Sequence, residues 1–279
     1  MSEVNPLMPQ DLPEQNAESE AQIAAFFDLD NTLMRGASIY HLALGLYRKG
    51  ILGPSDLATY AITQAKFMAS GNENKADFAK VANQTLSFVQ NRTAAELKEL
   101  IQEIFEEVVS EKLWPGTMEL VNEHLEAGHQ VWLISATPIE VAQVIANHLG
   151  LTGALATTSE IVDGKYTGNL LSAPVHGPAK ALAVRDLAVA ENIDLKSSYA
   201  YSDSANDLPL LSLVGNVRVV NPDSQLRDFA KVNDWPTFDF RREHIRRRYQ
   251  EPLAKSAMVL IGAGAGIALA AIARSRRKT

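Results

Sequence analysis

The stretch FFDLDNTL, residues 26–33, places two carboxylates and a hydroxyl directly after an apolar run. Asp28 and Asp30 are separated by one residue, and Thr32 follows after one more. One carboxylate can act as a nucleophile, and a second one beside it can act as a general acid and base. A calcium-binding EF-hand loop would require glycine at its sixth position and glutamate at its twelfth, where this chain has Leu33 and Ile39. The pattern therefore favours a reactive carboxylate pair over a calcium loop.

Four further polar side chains lie beside other predicted strands and helices. Ser135 follows the apolar run 130–134, and Asp203 follows the run 198–202. Taken singly, each such residue could belong to a turn, a helix cap or a solvated helix end. The carboxyl ends of parallel strands meet at one edge of a sheet, so their joint occurrence predicts one site shared with the carboxylate pair. In chain order, the four residues are Ser135, Lys180, Asp203 and Asp207.

This set of side chains suits the transfer of a phosphoryl group. Clustered carboxylates repel one another unless a cation lies among them, and oxygen ligands without His or Cys favour Mg²⁺. Phosphoryl transfer depends mainly on positioning and on neutralising charge, which a metal ion, a lysine and a hydroxyl can supply. Asp28 is then predicted to form an aspartyl-phosphate, and Asp30 to protonate the leaving oxygen and afterwards activate water. The predicted activity is that of a Mg²⁺-dependent phosphomonoesterase.

Short apolar or aromatic segments alternate with helical segments along the middle of the chain. The runs 23–27, 130–134 and 198–202 have the length of strands, and segments with helical spacing lie between them. Such alternation is typical of βαβ units and predicts an α/β fold with a Rossmann-like parallel sheet. The core domain is predicted to comprise residues 23–35 and 113–240.

A long insertion separates the first two predicted strands. Residues 36–112 have an almost purely helical pattern, which predicts an all-helical cap domain inserted into the core. Thr93 and Glu96 have the spacing of a capping box at the start of its last helix. Further along the chain, Asp163-Gly164 separates two strand-like runs and predicts a hairpin outside the main sheet.

The charges of the chain are unevenly distributed. Residues 1–240 carry 16 Lys and Arg against 31 Asp and Glu, whereas residues 241–279 carry 10 against 2. An acidic body disfavours nucleic acid as a partner, because its negative surface repels backbone phosphates everywhere except at a metal site. The chain has no cysteine, which excludes disulfides, zinc–thiolate sites and thiol nucleophiles. Residues 1–22 carry five acidic residues, three prolines and no Lys or Arg, and we predict a disordered leader there.

The C-terminal region predicts a membrane anchor. Residues 256–273 are 18 uncharged residues, and as a helix they would measure about 27 Å, close to the thickness of a bilayer core. Residues 241–255 contain a basic run that suits an anionic cytoplasmic surface, which predicts a cytoplasmic catalytic domain tethered to a lipid bilayer. Gly262 and Gly266 have the spacing that allows two such helices to pack, so a homodimer is a further expectation. A core helix or a disordered Gly/Ala tail is the alternative interpretation of 256–273.

Over residues 22–235 the sequence resembles the haloacid dehalogenase superfamily of phosphatases, in its phosphoserine-phosphatase-like branch with a helical cap. The four motifs of that superfamily have their counterparts in FFDLDNTL, VWLISATP, GPAKALAVRDLA and YSDSANDLPLL. The resemblance implies a nucleophilic Asp28 and an acid/base Asp30. The latter residue distinguishes the phosphatases of the superfamily from the dehalogenases.

The resemblance also implies binding roles for the other matched residues. It assigns phosphate binding to Thr32, Ser135 and Lys180, and it places Asn206 in contact with the site. It implies Mg²⁺ as the cofactor, with Asp207 either a ligand or a partner of Lys180. The implied metal-binding residues are Asp28, Asp30 through its backbone carbonyl, Asp203 and Asp207.

The chain departs from the family pattern where the substrate is selected. Phosphoserine phosphatases carry a glutamate seven residues after the second aspartate of the first motif, and here that position is Ala37. They also carry a cap arginine for the substrate carboxylate, whereas the matching stretch FAKVANQTLSF has Lys80 and no arginine. Phosphoserine-type metabolites are the substrates that the family implies. Arg35 is a candidate contact for the substrate, and the alternative is that it is simply an exposed helix position. A phosphorylated lipid headgroup and an inactive anchored scaffold are the alternatives, although no catalytic residue is missing.

Overall fold

The computed structural model describes residues 21–58, 62 and 93–241. Its main feature is a six-stranded sheet in the order β3-β2-β1-β6-β7-β8, in which every pair of neighbouring strands is parallel. The predicted α/β fold with a parallel sheet is therefore confirmed. The strands are β1 (Ala24–Asp28), β2 (Gln130–Pro138), β3 (Gly153–Thr157), β4 (Ser159–Val162), β5 (Lys165–Leu170), β6 (Tyr199–Ser202), β7 (Asn216–Val220) and β8 (Thr237–Phe238).

Seven α-helices have both ends within the described residues, and they surround the sheet. They are α1 (Ser38–Arg48), α2 (Ala94–Ile104), α3 (Pro115–Glu126), α4 (Ile139–His148), α5 (Pro178–Ala190), α6 (Leu208–Leu211) and α7 (Ser224–Val232). A π-helical turn, Phe105–Val109, and a 3₁₀ turn, Ser110–Lys112, continue α2. Another 3₁₀ turn, Ala205–Asp207, precedes α6.

The central strand β1 is buried on both faces of the sheet. Successive side chains of a strand point to opposite faces, and Phe26 and Phe27 accordingly belong to two different hydrophobic clusters. The Phe27 cluster includes residues of α1, α2 and α4, whereas the Phe26 cluster includes residues of α5, α6 and α7. Burial on both faces explains the continuous apolar run before Asp28, because a parallel strand covered by helices has no solvent face.

The end of β2 differs from the expectation. The run 130–134 was predicted to end before Ser135, but β2 continues to Pro138. Its pairing with β3 shifts register between Ile134 and Pro138, so the strand is irregular where Ser135 lies. Ser135 is therefore inside the distorted end of β2 and not in a loop beyond it.

Two predicted local structures are confirmed. The Thr93 side chain accepts a hydrogen bond from the Glu96 amide, and the Glu96 carboxylate accepts one from the Thr93 amide, which makes a capping box at the start of α2. Strands β4 and β5 pair antiparallel outside the main sheet. Asp163 and Gly164, which join them, both have positive φ, as a tight hairpin turn requires.

Several other predictions concern residues outside the described ranges. In the insertion, α1 and α2 are helical as expected, but 59–61 and 63–92 are not described, so the division into core and cap stays a prediction. Gln22, the last residue of the predicted leader, bonds through its amide to the Asn192 carbonyl. The basic segment beyond Arg241 and the predicted hydrophobic helix 256–273 also lie outside. Among the helices that the structure describes, none is long and apolar enough to cross a membrane.

Candidate active site

The predicted site residues converge at the carboxyl edge of the sheet. Asp28 is the last residue of β1, Asp203 follows β6, and Lys180 lies in the first turn of α5. The Lys180 Nζ atom lies 2.6 Å from Asp28 Oδ1 and 2.7 Å from Asp207 Oδ2. Asp203 joins the group through Thr32, whose hydroxyl donates to Asp203 Oδ1 at 3.3 Å. The structure thus brings together side chains separated by more than 150 positions in the sequence.

Lys180 is the buried cation of this cluster. Its side chain is 5% exposed, and those of Asp28 and Asp207 are 9% and 2% exposed. Burial alone would lower the pKa of Lys180, but the charges of Asp207 and Asp28 outweigh it and raise the pKa above its ordinary value. Lys180 is therefore positively charged at neutral pH. It holds two carboxylates that would otherwise repel each other.

Asp28 is ionised less readily than an ordinary carboxyl group. Burial is the largest cause, and it raises the pKa of Asp28 to about 6. The positive charge of Lys180 opposes this effect, whereas the neighbouring carboxylates of Asp207 and Asp30 add to it. At pH 7 the Asp28 carboxylate is charged and desolvated, which is the state that a carboxylate nucleophile requires.

Asp30 is oriented by the first residue of α1. The Ser38 backbone amide donates to Asp30 Oδ1 at 2.8 Å, and the Ser38 hydroxyl lies 3.2 Å from Thr137 Oγ1. Burial raises the pKa of Asp30, and the hydrogen bond from Ser38 partly offsets it. A raised pKa favours the protonated form that a general acid needs. The amino end of α1, which belongs to the inserted segment, therefore fixes the orientation of this carboxyl group.

Asp203 and Asp207 complete the acidic cluster. Burial raises the pKa of Asp203 well above its ordinary value, and the charges of Asp28 and Asp207 raise it further. Asp207 Oδ2 accepts hydrogen bonds from Ser202 at 2.8 Å and from Lys180. Its other oxygen, Oδ1, is buried and has no hydrogen-bond partner among the described residues. The cluster thus contains more buried negative charge than Lys180 can neutralise.

Three other predicted residues have different surroundings. Ser135 is 2% exposed, and its hydroxyl accepts a hydrogen bond from the Thr137 amide at 3.1 Å. Asn206 is exposed and donates to the Ser204 hydroxyl at 3.1 Å. The guanidinium of Arg35 bonds to the Glu111 and Lys112 carbonyls. Arg35 therefore joins the two ends of the insertion, and a substrate contact for it or for Asn206 stays a prediction.

Several buried residues hold these groups through hydrogen bonds that the sequence did not predict. Besides Ser38 and Thr137, they include Thr117, whose hydroxyl donates to the Thr32 carbonyl at 2.8 Å, and Asn221, which donates to the Asn31 carbonyl at 2.9 Å. A local signal for Asn221 does exist, because asparagine tolerates positive φ and Asn221 has φ of 48°. Nothing local in the sequence indicates that Asn221 pairs with Asn31, which lies 190 positions away.

Comparison with known proteins identifies the family. The model of the haloacid dehalogenase-like hydrolases matches residues 25–212, which include every predicted motif. The chain belongs to this family of hydrolases and is a phosphatase of the phosphoserine-phosphatase-like type.

Individual relatives support the same assignment. A Mycobacterium tuberculosis protein named phosphoserine phosphatase SerB1 is 46% identical over 254 residues, which cover 91% of this chain and 82% of that protein. A histidinol-phosphatase of Neisseria meningitidis is 31% identical over 221 residues, or 78% of this chain and 98% of that protein. A solved structure of a phospho-aspartyl intermediate analogue of phosphoserine phosphatase superposes with a TM-score of 0.54 over 81% of this chain and 99% of that one, at 18% identity. At this level of identity, the superposition shows a shared fold.

Proposed function

We propose that this protein is a Mg²⁺-dependent phosphomonoesterase that acts through an aspartyl-phosphate on Asp28. The observation that carries the proposal is the buried pair of Asp28 and Lys180, joined at 2.6 Å at the carboxyl edge of the sheet. Lys180 keeps Asp28 ionised despite its burial, and it also supplies positive charge where a phosphoryl group would bind. A purely structural ion pair would not need a second carboxyl group two residues away with its own hydrogen-bond donor.

In the first half of the reaction, an Asp28 carboxylate oxygen attacks the phosphorus atom of the substrate. The bond between phosphorus and the leaving oxygen breaks, and Asp30 donates its proton to that oxygen, so that a neutral alcohol departs. The raised pKa of Asp30 favours the protonated form that this step needs. The Ser38 amide holds the carboxyl group in place while the proton leaves.

In the second half, the ionised Asp30 removes a proton from a water molecule. The water oxygen attacks the phosphorus atom, the bond to Asp28 breaks, and inorganic phosphate is released. Both carboxyl groups then return to their starting protonation states. The two residues thus need opposite protonation states at the start of the reaction, an ionised Asp28 and a protonated Asp30.

The donor groups of the cluster fit Mg²⁺. Asp28 and Asp203 supply carboxylate oxygens, and the family resemblance implies the Asp30 backbone carbonyl as a further ligand. The orphaned Asp207 Oδ1 also leaves buried negative charge without a partner. No three His, Asp or Glu side chains of the described ranges form a metal site by themselves. Mg²⁺ commonly binds through one or two carboxylates and keeps several waters, so two carboxylates and a carbonyl suffice. Bound there, the ion would neutralise charge on the phosphoryl oxygens.

The proposed substrate is a small organic phosphate, and phosphoserine-type metabolites are the first candidates. Relatives of this chain are named for phosphoserine and for histidinol phosphate, so the family relation does not favour one leaving group. Ala37, which precedes α1, takes the place where the resemblance implies a glutamate for the substrate ammonium. The lipid-headgroup alternative depends on residues 256–273 and gains no support from the described part of the chain.

The test is phosphate release by the full chain with Mg²⁺. The panel contains phosphoserine, histidinol phosphate, sugar phosphates and short-chain lipid phosphates, and the Asp28→Asn variant serves as the matched control. Hydrolysis of a small metabolite by the wild type alone supports the proposal and identifies the substrate class. Preference for the lipids would contradict the proposed substrate class. Absence of hydrolysis across the panel would favour the inactive scaffold.

A further inference from the structure

Two consecutive backbone carbonyls of the catalytic loop, which we define as residues 28–34, are held from outside the loop. The side-chain amide of Asn221 donates to the Asn31 carbonyl at 2.9 Å. The hydroxyl of Thr117 donates to the Thr32 carbonyl at 2.8 Å. These two donors come from different parts of the fold, Asn221 from the end of β7 and Thr117 from the first turn of α3.

Asn221 is fully engaged in this position. It is 2% exposed, and its backbone amide donates to the Phe238 carbonyl at 2.7 Å. Its side-chain oxygen accepts a hydrogen bond from the Phe240 amide at 2.8 Å. Because both ends of the side-chain amide are bonded, the group cannot rotate without losing two hydrogen bonds. Asn221 therefore connects the catalytic loop rigidly to the segment that follows β8.

Phe240 links the two donors. Its ring lies against Gly116, where an added Cβ would come within 2.2 Å of the ring and would displace it. Gly116 directly precedes Thr117. The backbone of Phe240 thus supports Asn221, and its ring contacts the glycine next to Thr117. We call the set of Gly116, Thr117, Asn221 and Phe240 the loop brace.

Thr32 shows what the loop brace controls. Its carbonyl is bonded to Thr117, its preceding peptide is bonded to Asn221, and its hydroxyl donates to Asp203. Asn31 has φ of 59°, a conformation that an unrestrained chain seldom adopts. The two external hydrogen bonds stabilise this turn, which directly follows Asp30 in the chain.

We propose that Asn221, assisted by Thr117, is a positioning residue for the reaction, an inference that rests on the proposed phosphatase activity. Asn221 touches neither the substrate nor the reacting carboxylates. It acts by holding the peptide between Asn31 and Thr32, which keeps the acid/base Asp30 at a fixed position relative to the nucleophile Asp28. Catalysis is sensitive to displacements of about 1 Å, so loosening this peptide lowers kcat more than it weakens substrate binding.

The test is the Asn221→Asp variant. Aspartate has nearly the same shape, tolerates positive φ and still accepts the hydrogen bond from Phe240, but it has no donor for the Asn31 carbonyl. The matched control is Asn233→Asp on the surface beyond α7, where Asn233 donates to the Phe229 carbonyl at 2.8 Å. We expect Asn221→Asp to lower kcat by about 100-fold with little change in KM, and Asn233→Asp to leave both parameters unchanged.

Amide hydrogen exchange of the peptide that contains the catalytic loop gives a readout independent of turnover. We expect exchange to be faster in Asn221→Asp than in wild type or Asn233→Asp. Wild-type kcat and unchanged exchange in Asn221→Asp would overturn the inference. An inactive wild type would contradict the proposed function, whereas the exchange measurement would still decide whether Asn221 restrains the loop.

A second pair of variants decides the question if Asn221→Asp does not fold. Thr117→Val removes the hydroxyl that bonds to the Thr32 carbonyl, and Thr117→Ser keeps it. We expect the valine variant to have the lower kcat of the two at similar KM. Equal kcat values in folded proteins would contradict the loop brace.

Discussion

Replacing Asp28 by asparagine is expected to stabilise the metal-free protein while it abolishes turnover. Asp28 lies in a cluster of buried carboxylates, and burial raises its pKa to about 6. Asparagine has nearly the same shape, carries no charge and still offers an oxygen to Lys180. The substitution therefore removes the unfavourable ionisation and leaves most of the packing in place. Active-site residues often lower stability in this way, because catalysis requires charges that folding alone would not favour.

The size and the pH dependence of the effect follow from the shifted pKa. In the unfolded chain the Asp28 pKa is near 3.8, and in the folded protein it is about 6. The folded state binds this proton more tightly than the unfolded chain. The protonated Asp28 carboxyl group therefore adds to the free energy of unfolding in full below pH 3.8, and this stabilisation is lost as the pH rises through 6. A difference of about 2 units corresponds to about 3 kcal/mol. The advantage of Asp28→Asn should be near zero at about pH 4 and should approach this value at about pH 8.

Urea unfolding in the presence of EDTA measures this difference. The free energies of unfolding of wild type and Asp28→Asn are compared at about pH 4 and about pH 8, with the slopes checked for equality. The control is Asp194→Asn, because Asp194 accepts hydrogen bonds from Ser197 and from the Lys196 amide, which lower its pKa. A lowered pKa gives stability that is already present above about pH 4, so Asp194→Asn should be destabilised by a similar small amount at both pH values. Equal destabilisation by Asp28→Asn at both pH values would refute the reasoning.

Three further predictions concern other parts of the molecule. Asp30→Asn should slow steady-state turnover of p-nitrophenyl phosphate by about 10²- to 10⁴-fold. It should still give a first burst of nitrophenolate, because that leaving group needs no proton. An unchanged steady rate would contradict the role of Asp30. Burial, with the charges of His129 and Arg218, lowers the pKa of His124 from 6.5 to about 4, so the contribution of His124 to stability should fall as the pH falls from 6.5 towards 4. His124→Gln should flatten this dependence in urea unfolding, and an identical profile would exclude His124 as its source. Thr93→Ala should cost about 1 kcal/mol of unfolding free energy through loss of the capping box, and Thr93→Ser should cost less; equal costs would show that the hydroxyl does not cap α2.

Local sequence patterns were sufficient for much of the fold. The apolar run before Asp28 predicted a buried strand, and helices on both faces of β1 explain why the run is continuous. The capping box at Thr93 and the Asp163-Gly164 turn depend on residues within four positions of one another, so the sequence contains the whole signal. The approach of Asp28 and Lys180 was predictable because the parallel sheet brings strand ends to one edge.

Contacts between distant segments could not be predicted in the same way. The Ser38 hydroxyl meets Thr137 across 99 positions, and Asn221 meets Asn31 across 190. Such hydrogen bonds depend on packing between elements, and neither residue type nor spacing indicates the partner. The boundary of β2 was also missed, because its irregular end places Ser135 inside the strand. The contacts of Arg35 with the Glu111 and Lys112 carbonyls likewise had no local signal, and its role as a substrate contact stays a prediction.

Identification of the phosphorylated residue tests the central claim most directly. The wild-type protein is mixed with Mg²⁺ and the best substrate of the panel, quenched in acid, digested and examined by mass spectrometry. The account predicts one phosphoryl group on Asp28, in the peptide that contains FFDLDNTL, and none in Asp28→Asn. Release of phosphate without a phosphorylated protein, or with the phosphoryl group on another residue, would contradict it.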